Sequence, residues 1–256
     1  MTSEEKQKIA FFLDTAEDVL RDGHRKDRPD YLFIDDSPTP DHASHIEKTP
    51  ESSGEKKDIS MAPEFLAESP RLDGLELLAA EIHKCAACQL CSTRTKAVPG
   101  EGVTNPLVIV IGEAPGADED RTGQPFVGRA GQLLDKMLAA IDLSRETNCF
   151  IANMLKCRPP ENRDPRPAEI SACVPFLDRQ IDLLRPRAIL CVGRVAMHGL
   201  LHTTEVIGKA HGQWTLYRNI PFFPIYHPSA ILRDDSLRRP TWEDLKLFRA
   251  KVNEIV

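Results

Sequence analysis

LVIVIGEAPG, residues 107–116, decides the architecture. Its first five residues are apolar and four of them are β-branched, which suits a strand better than a helix. The run is far shorter than the ~20 residues that cross a bilayer. It shows no polar alternation, so it reads as a strand buried on both faces, and such a strand needs cover on both sides. The chain supplies that cover. LDGLELLAAEIHK (72–84) is a helix upstream, and AGQLLDKMLAAIDL (130–143) is a helix with Leu133, Leu134, Met137, Leu138 and Ile141 on one face. NCFIANML (148–155) is a second strand. AEISACVPFLDRQIDLL (168–184) is mostly helix, with Pro175 expected to kink or restart it. AILCVG (188–193) is a third strand, followed by the short helix RVAMHGLL (194–201). WTLYRNIPFFPIYHP (214–228) predicts a hairpin ending in a strand, with Pro224 at an edge position. A last helix starts at Thr241, with Asp244 three residues on, and buries Trp242, Leu245, Phe248, Val252 and Ile255. The predicted fold is α/β: a three-layer α/β/α sandwich with a mainly parallel central sheet of about four strands, plus an N-terminal helix and a flexible linker.

Charge separates the front of the chain from the rest. The net charge is −6, but residues 1–80 carry 10 basic and 19 acidic side chains, and the remainder carries 23 and 20. The mildly basic remainder permits contact with phosphates without demanding it. Residues 1–22 predict an amphipathic helix, with Thr2 and Glu5 as a capping box. Residues 23–69 are charged, proline-bearing and poor in apolar side chains, so they predict a flexible acidic linker. YLFI (31–34) is its one apolar island and reads as a weakly packed segment. Residues 70–256 are expected to form one folded domain, the part of the chain that carries the chemistry. No basic start followed by an apolar run marks a signal peptide, so the expected setting is reducing and cytoplasmic. There, clustered cysteines more often bind metal or do chemistry than form disulfides.

In a parallel sheet, ligands bind beyond the carboxyl ends of the strands. GEAPGADEDRTGQPFVGRAG (112–131) follows the first strand with five glycines and two prolines. It is neither a P-loop, which would end in Gly-Lys-Ser/Thr, nor GxGxxG. Glu113, against the strand end, reads as functional. Asp118 and Asp120 read as solvated acids. Phe126 is a candidate aromatic platform. Asn153, near the end of the second strand, is an amide that burial would oblige to find partners. His227, in HPSA after the last strand, falls where the sheet would bring it near residues 112–126.

HKCAACQLC (83–91) holds cysteines at 85, 88 and 91. A bacterial ferredoxin pattern would continue with three residues and another Cys-Pro, and it does not. A zinc ribbon would need a second CxxC pair, and none exists. Cys149 and Cys191 sit inside apolar strands and read as small hydrophobes. Cys157 and Cys173 flank a proline-rich loop with little apolar content, where a metal anchor at both ends makes physical sense.

Taken together, CAAC (85–88), TRTKAVPGEG (93–102), GEAPGADEDRTGQPFVGRAG (112–131), NMLKCRPPENRDPRPAEISAC (153–173) and HPSAILR (227–233) resemble the family 4 uracil-DNA glycosylases, thermostable-type enzymes carrying a 4Fe–4S cluster. The resemblance spans roughly residues 75–256, in order and by element type. It implies that Cys85, Cys88, Cys157 and Cys173 ligate the cluster, leaving Cys91 spare. It implies that Phe126 stacks on a flipped uracil, that Asn153 reads the Watson–Crick edge, and that His227 hydrogen-bonds the base oxygen that gains charge. Glu113 and Glu119 would line the pocket, one of them placing or activating water, beside the backbone of Gly112 and Gly116. The family 1 loop GQDPY has here Ala114 and Gly116 at its Asp and Tyr positions, so neither of those jobs falls to the same residue, and Glu119 is the candidate for crowding out a methyl group. Ser229, Ile231, Leu232 and Arg233 would meet DNA. Ile231 and Leu232 would either wedge into the gap left by the base or pack in the core, and Arg233 would lie near a phosphate. The implied partner is uracil-containing DNA, with no membrane. The chain is expected to act as a monomer, with residues 1–70 open to an unknown protein partner. The alternative is a glycosylase-like DNA-binding protein with weak catalysis or covalent trapping of the abasic sugar.

Overall fold

The computed structural model describes residues 68–255. The helix expected within 1–22, YLFI, and all but the end of the linker expected over 23–69 lie outside the described residues. Helix α1 (Glu68–Lys84) begins a little before the expected domain boundary. There follow β1 (Glu101–Gly102), β2 (Val108–Gly112), α2 (Ala117–Thr122), α3 (Arg129–Ala139), β3 (Cys149–Asn153) and α4 (Pro167–Leu184). The chain continues through β4 (Ala188–Val192), α5 (Arg194–Leu201), α6 (Ile207–Ala210), β5 (Thr215–Tyr217), β6 (Ile220–Ile225), α7 (Pro228–Ile231) and α8 (Arg238–Glu254). No helix among the described residues is long and apolar enough to cross a membrane.

The sheet has six strands in the order β1-β3-β2-β4-β6-β5, rather than about four. The inner four are parallel, and short antiparallel β1 and β5 flank them. The period-two alternation of strand side chains builds the two cores. Val108, Val110, Ile151, Leu190 and Phe223 face one side, against Leu134 and Met137 of α3 and Leu245 and Phe248 of α8. Ile109, Ile111, Phe150, Ile189 and Phe222 face the other, against Leu177 and Ile181 of α4 and Met197 of α5. Each fully buried side chain of this size contributes about 1.5–3 kcal/mol, so the three-layer sandwich follows from strands that are apolar on both faces. Leu78 and Ile82 of α1 are also buried, with Leu183 of α4 packed against them.

Three local expectations change. Helix α4 runs unbroken through Pro175. That residue is exposed, so the carbonyl it leaves without an N–H one turn back can be hydrated. Helix α8 starts at Arg238 rather than Thr241. The Thr241 hydroxyl donates to the Leu237 carbonyl at 2.7 Å, and the Asp244 carboxylate holds His211 Nδ1 at 2.7 Å, so neither residue caps the helix. Pro224 lies on the second strand in from the edge, but beyond the end of β5, whose pairing stops at Phe222. The hairpin therefore loses no hydrogen bond to the proline.

Candidate functional site

The carboxyl ends of the parallel strands converge on an open pocket of about 410 Å³. Gly112 ends β2 in register with Asn153 at the end of β3. A Cβ on Gly112 would lie 2.4 Å from Asn153 Oδ1 and 2.5 Å from Phe126 Cζ, so a hydrogen there is what lets amide and ring share the pocket. Asn153 is 2% exposed, and its Oδ1 is buried without a hydrogen-bond partner among the described residues. Such an orphan costs about 1–3 kcal/mol unless something supplies a donor.

Phe126 is buried and adopts φ 54°, a left-handed backbone that an aromatic residue rarely takes and that costs on the order of 1–3 kcal/mol. Its ring lies 5.9 Å from that of His227, at 29° between planes. His227 caps α7. Its Nδ1 accepts the Ser229 backbone N–H at 3.1 Å and lies 2.8 Å from Ser229 Oγ. Burial, with Arg233 adding to it and Glu119 opposing, pushes the imidazole down to about 4. The ring is therefore neutral at pH 7, and with Nδ1 accepting, its proton sits on Nε2. Gly193 leaves room for it, since a Cβ there would lie 3.0 Å from His227 Cβ.

The carboxylates divide by environment. Glu113 is pushed up to about 7 by burial first and then by Asp164, with Arg194 opposing. Glu119 accepts three backbone N–H groups, from Gly116, Val127 and Gly128, each at 3.0 Å. It lines the pocket while tying together both ends of the glycine-rich loop. Asp118 stays solvated as expected. Asp120 does not: it is buried, and its two oxygens take the Thr95 N–H at 2.9 and 3.1 Å, clamping α2 to the segment after the cysteines. Ser229 and Arg233 line the pocket. Ile231, the last residue of α7, is wholly buried in the core, which favours packing over the wedge, whereas Leu232 is only partly buried.

Away from the pocket, Cys85, Cys88, Cys91, Cys157 and Cys173 line one small cavity together with Arg94 and Lys156. Arg94 Nη1 lies 3.0 Å from Cys157 Sγ, and the Lys156 N–H donates to Cys173 Sγ at 3.2 Å. Among the described residues, no three His, Cys, Asp or Glu side chains close to the spacing that a single ion needs, with metal–sulfur bonds of about 2.3 Å. A four-iron cluster is a larger body and takes a wider ring of thiolates. Convergent thiols with two cations beside them fit that group. Cys91 belongs to the lining too, so proximity alone does not single out four ligands. Cys149 and Cys191 are wholly buried in strands, where burial pushes both thiols up, Cys149 to about 12.

Three partners escaped the sequence reading. Arg163 holds the buried Glu169 through two bonds, at 2.9 and 2.6 Å, so an ion pair also anchors the proline-rich loop. Asp164, on that loop, lines the pocket. Lys156 is 1% exposed; its Nζ donates to the Asn153 carbonyl at 2.8 Å and to Gln180 Oε1 at 2.6 Å. Gln180 Nε2 in turn donates to the Pro99 carbonyl at 2.8 Å. Its sequence context, Met154-Leu155-Lys156-Cys157, carries no local sign of the Gln180 partner that holds the ammonium.

Comparison with known proteins identifies relatives of the chain. The family model described as the uracil DNA glycosylase superfamily matches residues 99–246. The type-4 uracil-DNA glycosylase of Saccharolobus solfataricus is 45% identical over 184 residues, covering 68% of this chain and 85% of that protein. That of Archaeoglobus fulgidus is 42% identical over 183 residues, 68% and 92%. That of Thermotoga maritima is 40% identical over 186 residues, 70% and 95%.

Proposed function

Because the chain belongs to the uracil DNA glycosylase superfamily, and within it to the type-4 uracil-DNA glycosylases, we propose that its pocket takes a uracil flipped out of DNA and hydrolyses the bond joining base to sugar. The carrying observation is the orphaned, buried Asn153 Oδ1 in an open pocket that the Phe126 ring and the neutral His227 imidazole also line. The N3–H of uracil is a donor of the kind that oxygen lacks. Flipping costs a few kcal/mol, and stacking on Phe126 offsets it. As the C1′–N1 bond breaks, its electron pair moves onto the base, and His227 Nε2–H donates to the carbonyl oxygen where that charge gathers. One such fixed donor is worth on the order of 3 kcal/mol. Glu113, half ionised near pH 7, orients the water that adds to C1′ and takes its proton. Glu119, with its oxygens committed to the backbone, shapes the loop. Among the described residues no lysine lines the pocket, which supports a reaction that ends at an abasic site without a lyase step.

Cys85, Cys88, Cys157 and Cys173 would hold a 4Fe–4S cluster, whose contribution is structural, pinning the proline-rich loop and the start of α4 to the segment before β1. Seven cysteines with no disulfide between them suit a reducing, cytoplasmic setting. The test is incubation of the purified full chain with a uracil-containing oligonucleotide, followed by alkali. Strand breaks at uracil are expected. Their absence in protein that retains its iron absorbance sinks the reading, and an adduct surviving denaturation would favour covalent trapping.

A further inference from the structure

Arg145 lies between α3 and β3, outside the pocket lining, and its side chain is only 12% exposed. Its guanidinium donates from Nη1 to the Pro125 carbonyl at 3.0 Å and from Nη2 to the Phe126 carbonyl at 3.2 Å. Asp135 holds the guanidinium in turn, with Nε and Nη2 reaching Oδ1 at 3.1 and 2.6 Å, and Glu101 lies 3.4 Å from Nη1. The two peptide planes that meet at the Phe126 Cα are thus gripped by one rigid fork. Their rotation about that atom is φ and ψ of Phe126, and φ stands at 54°, where an aromatic residue does not rest unaided. Gly131 gives way beneath them, because a Cβ there would lie 1.9 Å from the Phe126 carbonyl oxygen.

We propose that Arg145 is the positioning residue of the stacking platform: by binding both carbonyls that flank the Phe126 Cα, it holds the ring in the plane that meets the flipped base. The assignment rests on Phe126 being that platform. Lysine cannot substitute, since a single ammonium lacks the planar fork that spans two carbonyls and a carboxylate.

The test is a double-mutant cycle on kcat/KM for a uracil oligonucleotide, using the full chain and melting each variant alongside. Arg145→Ala is expected to lose about 30-fold, to be matched by Arg145→Lys, and to regain part of the loss when guanidinium is added at millimolar concentration. In a Phe126→Ala background, the same change is expected to cost nothing further. Asp135→Asn, a surface change that loosens Arg145 and leaves the fold in place, is expected to lose about three-fold. Losses that multiply in the double variant, or a full rescue by lysine, overturn the assignment while leaving the platform standing. Full activity in Phe126→Ala alone overturns the platform and with it the role of Arg145. If Arg145→Ala does not fold, Asp135→Asn in the two Phe126 backgrounds decides by the same criterion.

Discussion

Replacing Asn153 by alanine should move stability and activity in opposite directions. In the free protein the amide sits at the end of β3 with its oxygen buried and unpartnered. Carrying that orphan costs about 1–3 kcal/mol. The truncation removes the cost and opens little new void, because the side chain already borders the pocket. Allowing for some lost packing against Gly112 and Phe126, a net gain of about 1 kcal/mol is expected, which raises Tm by about 2–4 °C in a domain of this size. The same change removes the group proposed to meet the base edge. A paired amide contact to a base is worth about 1–3 kcal/mol of discrimination, so kcat/KM should fall roughly 5- to 150-fold. Thermal melts and single-turnover cleavage of a uracil oligonucleotide, read on one preparation, measure both. A drop in Tm of a few degrees would show that the oxygen is satisfied in the free protein. A kcat/KM within two-fold of the parent would remove Asn153 from base recognition. Either result refutes the reasoning.

Three further outcomes follow from the same geometry. With Glu113 raised from 4.5 to about 7, its ionised form accumulates as pH climbs through 7, so kcat/KM should rise to a plateau above that pH. Glu113→Gln should flatten the profile and cost about 10²-fold; it should also abolish a decline in stability between pH 4.5 and 7, since in that window the folded protein binds the proton that the unfolded chain has released. Gly112→Ala should leave the protein folded but nearly inactive, because its methyl group would collide with both Asn153 and Phe126; oligonucleotide cleavage beside a melt checks it, and normal turnover would contradict the shared-pocket geometry. Cys157→Ala or Cys173→Ala should purify without brown colour and with little iron by metal analysis, whereas Cys91→Ala should keep both; full iron in either of the first two would break the ligand assignment.

The legible parts of the fold were those written in local pattern. The apolar runs of β2, β3, β4 and β6, and the stripe of Leu133, Leu134, Met137 and Leu138, each announce themselves within a dozen residues, so the parallel sandwich was readable. Strand β1 was not, because Glu101 and Gly102 have no apolar signature. What admits them to the sheet is backbone: a Cβ on Gly102, at φ 143°, would lie 2.3 Å from the Cys149 carbonyl oxygen. The pocket positions Glu113, Phe126, Asn153 and His227 stood at strand ends or in the loop after one, where topology makes a site. Asp120 and Ile231 were misread, or left open, because one residue of difference on a short helix decides whether a side chain faces solvent or core. Arg145 and Lys156 could not be read at all. Arg145 stands in a polar loop, where a single charge looks like any other until Pro125, Phe126 and Asp135 meet it; Lys156 follows Met154 and Leu155, and the Gln180 amide that receives its buried ammonium lies 24 residues on.

The sheet's two rims have a consequence for behaviour in solution. A strand with an unpaired side offers its N–H and C=O groups as a template to any passing extended chain. Here β1 spans Glu101–Gly102 and β5 only Thr215–Tyr217, so each rim presents scarcely a turn's worth of free backbone. The four strands with the strongest tendency to pair are all interior, shielded by those short borders and by helices above and below. Edge-to-edge stacking of copies, the usual route by which β-rich proteins aggregate at high concentration, finds only two or three paired rim residues on either side to build on.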